Sequence, residues 1–97
     1  MDKGQSLIIP FLFDSTNYAY WKVRMRTFLQ SLDEKVWQVV EIGWTKPKEA
    51  LADWDDAKFK AANFNSRALN VLFSVVTNEE FKNISSTETA KEAWTIL

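Results

Sequence analysis

Three features of this chain bear directly on chemistry, and the first is a run of carboxylates at Asp53, Asp55 and Asp56. Oxygens this close could crowd around a calcium ion. A calcium loop, however, needs a longer alternation of oxygen ligands, a glycine turn and a distal glutamate, and these are missing. Acids at the start of a long helical pattern meet the positive end of the helix dipole instead, and Glu79 and Glu80 repeat that arrangement further on. The second feature is Lys22, Arg24 and Arg26, of which the first and last stand one helical turn apart on the same face. Binding of single-stranded nucleic acid would call for more basic residues and for exposed aromatic rings. Here the aromatics fall on apolar stripes, so the basic residues read as a solvated face.

The third feature is what the 97 residues lack, namely cysteine and histidine. Disulfides, thiolate nucleophiles, Cys/His zinc knuckles and the usual general base are thereby excluded from this chain. The sequence has no glycine-rich phosphate loop, no G-x-S-x-G elbow and no nucleophile with a candidate base. No catalytic activity, cofactor or metal is expected. A formal net charge of −1 also lacks the basic footprint of a domain devoted to nucleic acid, which disfavours a helix-turn-helix DNA binder.

The elements that position these groups follow from composition and period. Five Trp and seven Phe against two Gly and two Pro argue for helices joined by short loops, hence a single all-α domain of about four to five helices. No apolar run approaches the ~20 residues needed to span a bilayer, and no secretory pattern opens the chain. Asp2 removes the glycine needed for myristoylation. A soluble chain of the reducing cytoplasm, away from membranes, is expected.

Residues 1–12 read as an extended apolar arm, because Leu7, Ile8, Ile9 and Phe11 flank Pro10, which forbids a helix there. The arm is expected to lie on the helical body, or else to exchange with a partner. The oxygen-bearing run Asp14, Ser15, Thr16 and Asn17 then predicts a helix start within a residue or two of Asn17. Tyr18, Trp21, Met25, Phe28, Leu29 and Leu32 form its inward stripe. Asp33 caps a second short helix over Glu34 to Ile42, with Val36, Trp37 and Val40 inward and Gly43 closing it in a left-handed conformation. Pro47 suits the first position of the next helix.

The longest pattern runs from Asp53 to Val76, with Ala57, Ala61, Phe64, Ala68, Leu72 and Val75 as its stripe. Its small residues predict close approach of a neighbouring helix at both Ala61 and Ala68. Asn78 is placed to cap a turn over Glu79 to Ile84 with Phe81 and Ile84 inward. Ser85, Ser86 and Thr87 then restart the chain, with Glu88 in the first turn of a last helix that carries Ala90, Ala93, Trp94 and Leu97 on one face. No cap or glycine follows Leu97, so a fragment of a longer chain is expected.

Two of these stretches together carry a resemblance. Phe13-Asp14-Ser15-Thr16-Asn17-Tyr18 with Trp21, Met25 and Leu29, followed by Val36-Trp37-x-x-Val40-Glu41-x-Gly43, resembles the N-terminal part of Gag polyproteins from plant Copia-type LTR retrotransposons. Thr89-Ala90-Lys91-Glu92-Ala93-Trp94-x-x-Leu97 is similar to that family's second signature. One departure is Ser15, where the family often has glycine.

The resemblance covers about residues 8–97 and implies the N-terminal lobe of an all-helical capsid region. Such a lobe self-associates into a shell around the element's RNA, while RNA binding itself belongs to a downstream region outside this chain. Phe13, Asn17, Tyr18, Trp21, Met25, Leu29, Trp37, Val40, Ala90, Trp94 and Leu97 are then expected to be structural. Leu7, Ile8, Ile9, Phe11, Lys22 and Arg26 are left as the candidate interface. The alternative class is a host-encoded, Gag-derived module that holds a peptide or protein partner.

Overall fold

The computed structural model describes residues 12–97, and among these each α-helix follows a short polar residue. The Asp14 carboxylate accepts from the Thr16 backbone N–H at 2.9 Å and from the Thr16 hydroxyl at 2.6 Å. These bonds, the hydroxyl first, hold its pKa below the ordinary carboxylate value. They fold Ser15–Asn17 into a 3₁₀ turn that runs directly into α1, Tyr18–Leu32. Asp33 serves two helices. Its N–H donates to Leu29 at the end of α1, and its carboxylate accepts from the Lys35 N–H at the start of α2, Glu34–Glu41. One extended residue thus makes the whole corner.

Gly43 follows α2 with φ of 106°, the left-handed geometry that favours glycine after a helix end. Residues 44–50 are irregular and Pro47 opens no helix, contrary to the expectation from its type. A 3₁₀ turn at Leu51–Asp53 precedes two extended residues, Trp54 and Asp55, and only then does α3, Asp56–Ser74, begin. The start shifts from Asp53 because Asp55 is the cap, accepting from the Lys58 N–H at 2.9 Å. That backbone bond is the main cause of its lowered pKa.

Thr77, not Asn78, caps α4, Asn78–Ile84. Its hydroxyl reaches the Glu80 N–H, while Asn78 is already helical. Thr89 caps α5, Ala90–Ile96, so Glu88 lies before the helix and Glu92 is the acid of its first turn, because Thr87 is spent closing the end of α4 on the Ile84 carbonyl.

The described residues form an all-α slab measuring 43 × 33 × 21 Å, thin enough to be two helices deep. The helix α2 lies against α1, α3 and α5, and α4 packs on α5. The core takes Trp21, Met25 and Leu29 from α1, Val36, Trp37 and Val40 from α2, Ala68 and Leu72 from α3, then Val75, Ile84, Ala90 and Ala93. A bond from the Phe13 N–H to the Val75 carbonyl, 2.7 Å, fastens the entry of α1 to the end of α3.

A stripe is buried only where a neighbour covers it, and this corrects several expectations. Tyr18 is 37% exposed and Leu32 is also exposed, since they stand at the two ends of α1, and Phe81, in the middle of α4, is exposed with its ring against Phe73 alone among the described aromatic pairs. Ala57 is exposed and Ala61 half-buried, whereas Ala68 is sealed. The arm residues Leu7, Ile8, Ile9 and Phe11 lie outside the described residues. No described helix is long and apolar enough to cross a membrane.

Candidate functional site

The apolar side of α1 turns the two separated signature stretches into one aromatic cluster. Trp21 stacks on Trp94 of α5, with centroids 5.7 Å apart and planes at 29°. Trp94 in turn meets Trp37 of α2 edge-on at 5.5 Å, and Phe13 stands edge-on to Trp21 at 4.9 Å. Offset and T-shaped pairs of this kind add attraction to the area they bury, because a ring's positive edge faces its neighbour's negative face.

Cations roof the cluster. The Lys22 ammonium lies 4.2 Å from the Trp94 ring centre and 5.2 Å from that of Tyr18. The Arg26 guanidinium lies 5.7 Å from the ring of Trp37. These two residues, predicted to belong to an interface, therefore face their own aromatic rings, and their aliphatic stems cover apolar surface. Among the predicted structural residues, Trp21, Met25, Leu29, Trp37, Val40 and Ala90 are buried, while Phe13, Trp94 and Leu97 are half-buried. Asn17 is a correction. It is exposed and makes no side-chain cap, because Asp14 has already taken that role. Tyr18 borders the cluster, with its ring 6.5 Å from Trp21.

Sequence reasoning passed over Asn65, which is 3% exposed in α3. Its amide oxygen accepts from the Ala90 N–H at 2.9 Å, and its amide nitrogen donates to the Glu88 carbonyl at 3.0 Å. Two backbone groups at the start of α5 are satisfied from another helix, so α5 is docked in register. The signal was available in the sequence, because Asn65 falls at steps of four, three and seven from Ala61, Ala68 and Leu72 on the same stripe.

Lys91 ties the other side of α5. Its ammonium donates to the Ile42 carbonyl at 3.2 Å, at the negative end of α2. Its chain passes 3.0 Å from where a Cβ on Gly43 would sit, a contact the flexible lysine can relieve by a small shift, so it is the φ of Gly43 that calls for glycine.

On the other side of α2 the surface is open. Val39 of α2 and Ala57, Ala61 and Phe64 of α3 line a groove of about 580 Å³. Lys35, Lys60 and Arg67 line it too, with Asp33 as its one acid among the described residues. Lys35 and Arg67 hold their charges 6.0 and 5.8 Å from the Phe64 ring centre. Within the described residues, no three acids gather as a metal site would require. The closed cluster can hold helices together. The groove can receive something.

A family model described as "Domain of unknown function (DUF4219)" matches residues 13–41. The match begins at Phe13 and ends with α2, so it takes in the α1 and α2 contributions to the aromatic cluster and none of α3 or α5. No curated protein and no solved structure matches the chain.

Proposed function

We propose that this chain is a structural lobe, the N-terminal part of a Copia-type retrotransposon Gag capsid region, which self-associates in the cytoplasm within a longer protein. The observation carrying this reading is the convergence of the two signatures, since Trp21 and Trp37 from the first close on Trp94 from the second. Residues that resemble a family across a gap of about half the chain and then meet in one core are acting as one structural unit. The family match over residues 13–41 coincides with the first signature and supports the same reading.

The chemistry of the surface fits a scaffold. A net charge of −1 leaves RNA to a region elsewhere in the longer protein, and the exposed groups suit protein contacts better than catalysis. The reading is tested with the full-length protein that contains this region, expressed alone and inspected by sedimentation and electron microscopy. Particles that enclose RNA are expected, and a protein that stays monomeric at high concentration would contradict the capsid role.

A further inference from the structure

Two surfaces beside the first half of α3 differ in charge, and each offers apolar surface. One is the groove, where Lys35, Lys60 and Arg67 surround an apolar floor. The other is a knob built on Trp54 and Phe59, whose rings meet at 5.3 Å. The Trp54 indole N–H is anchored on the Glu49 carbonyl at 3.1 Å, while Phe59 is 46% and nearby Leu51 61% exposed. Asp53 and Asp55 flank Trp54 in the chain, Asp55 and Asp56 stand about one helical turn before Phe59, and Lys58 pairs with Asp55 and Glu49. An aromatic pair of half-buried Trp54 and exposed Phe59 beside acids matches a basic groove with an apolar floor.

Charge also decides how the surfaces can pair. Face to face about a twofold axis, the groove would set three cations and one acid against an identical set, which is repulsive. Groove against knob is attractive. Because the two lie on different faces of one helix, a molecule can use both at once. We propose that the groove between α2 and α3 receives the Trp54/Phe59 knob of a second copy of this chain, a head-to-tail contact that propagates from one copy to the next. This inference rests on the reading of the chain as a self-associating lobe and names the surfaces that would carry it.

The test uses the whole 97-residue chain and two charge-reversed variants. One carries Lys60→Glu with Arg67→Glu, and the other Asp53→Lys with Asp56→Lys. Each variant, checked for its fold by circular dichroism, should self-associate at least about tenfold more weakly than the unaltered chain in sedimentation velocity, since each now sets like charges against each other. Mixed in equal amounts, the two should associate again as an alternating copolymer. In that mixture every groove meets a knob of opposite sign. Should a reversal lower the melting temperature, Phe59→Ala, which removes the exposed knob and leaves the charges in place, should weaken association in the same way.

The inference is overturned if the unaltered chain is monomeric at about 1 mM, where even a weak specific contact becomes visible. It is equally overturned if association ignores the reversals or if the mixture fails to recover. Particles formed by a full-length protein that carries either reversal alone would remove this contact and leave the capsid reading standing. Absence of particles from the unaltered full-length protein would remove that reading itself.

Discussion

The two halves of α3 carry similar residues and meet different fates. In the second half Asn65, Ala68 and Leu72 are sealed, because α5 arrives there and Ala90 and Ala93 let it come close. In the first half Ala57 is exposed, Ala61 is half-buried and Phe59 points to solvent, although the spacing of small and aromatic residues is much the same. Burial is therefore a property of the pair of elements and not of the stripe. The half that α5 covers belongs to the folded lobe. The half left open offers apolar surface with charge around it, and that is where association is expected.

The largest expected contrast is between aromatic residues. Trp21→Ala should lower unfolding stability by about 3–5 kcal/mol, since it opens a cavity among Phe13, Trp94 and the core of α1. Phe59→Ala, in the open half, should stay within about 0.5 kcal/mol. Chemical denaturation of both variants checks this, and equal losses would erase the distinction between the halves. Next comes Asn65→Ala, which strands the Ala90 N–H and the Glu88 carbonyl. A loss of about 1–3 kcal/mol is expected, with earlier hydrogen exchange in α5 than in α1.

The alanines sharpen the comparison further. Ala68→Leu should overpack the contact with α5 and cost about 1–3 kcal/mol, while Ala61→Leu has the groove to grow into and should cost less than about 0.5 kcal/mol. Thermal melts of the pair give the answer. The smallest effect is set by pH. Asp14 and Asp55 both have pKa values lowered by the bonds they accept, so their contribution is present above the ordinary carboxylate pKa and is lost as pH falls through the lowered folded values. Melting temperature should therefore fall in acid, below about pH 4. Asp55→Asn, which keeps a cap without a titrating group, should soften that fall.

Local signals in the sequence were read well because they depend on near neighbours. Asp33, Gly43 and the stripe of Trp21, Met25 and Leu29 needed only capping rules and helical period to be placed. Signals that depend on distant partners are not decided by the local pattern. Ala61 and Ala68 look alike until the position of α5 is known, and Tyr18 looks buried until the cover over the first turn of α1 is seen to be incomplete. Pro47 could start a helix, yet Asp55 is the better cap and the helix waits for it. Lys22 and Arg26 do stand at the surface as their charge implies, and what the fold adds is the rings of Trp94 and Trp37 beneath them. The groove, formed by α2 and α3 with an irregular stretch and a 3₁₀ turn between them, leaves no continuous pattern to find.

The central claim is that the two signature stretches form one core through the contact of Trp21 with Trp94. A double-mutant cycle with Trp21→Leu and Trp94→Leu, measured by urea denaturation, tests it most directly. The contact predicts a coupling energy of about 0.5–1.5 kcal/mol between the two sites. Losses that simply add, within about 0.3 kcal/mol, would show that the signatures do not meet and would contradict the account.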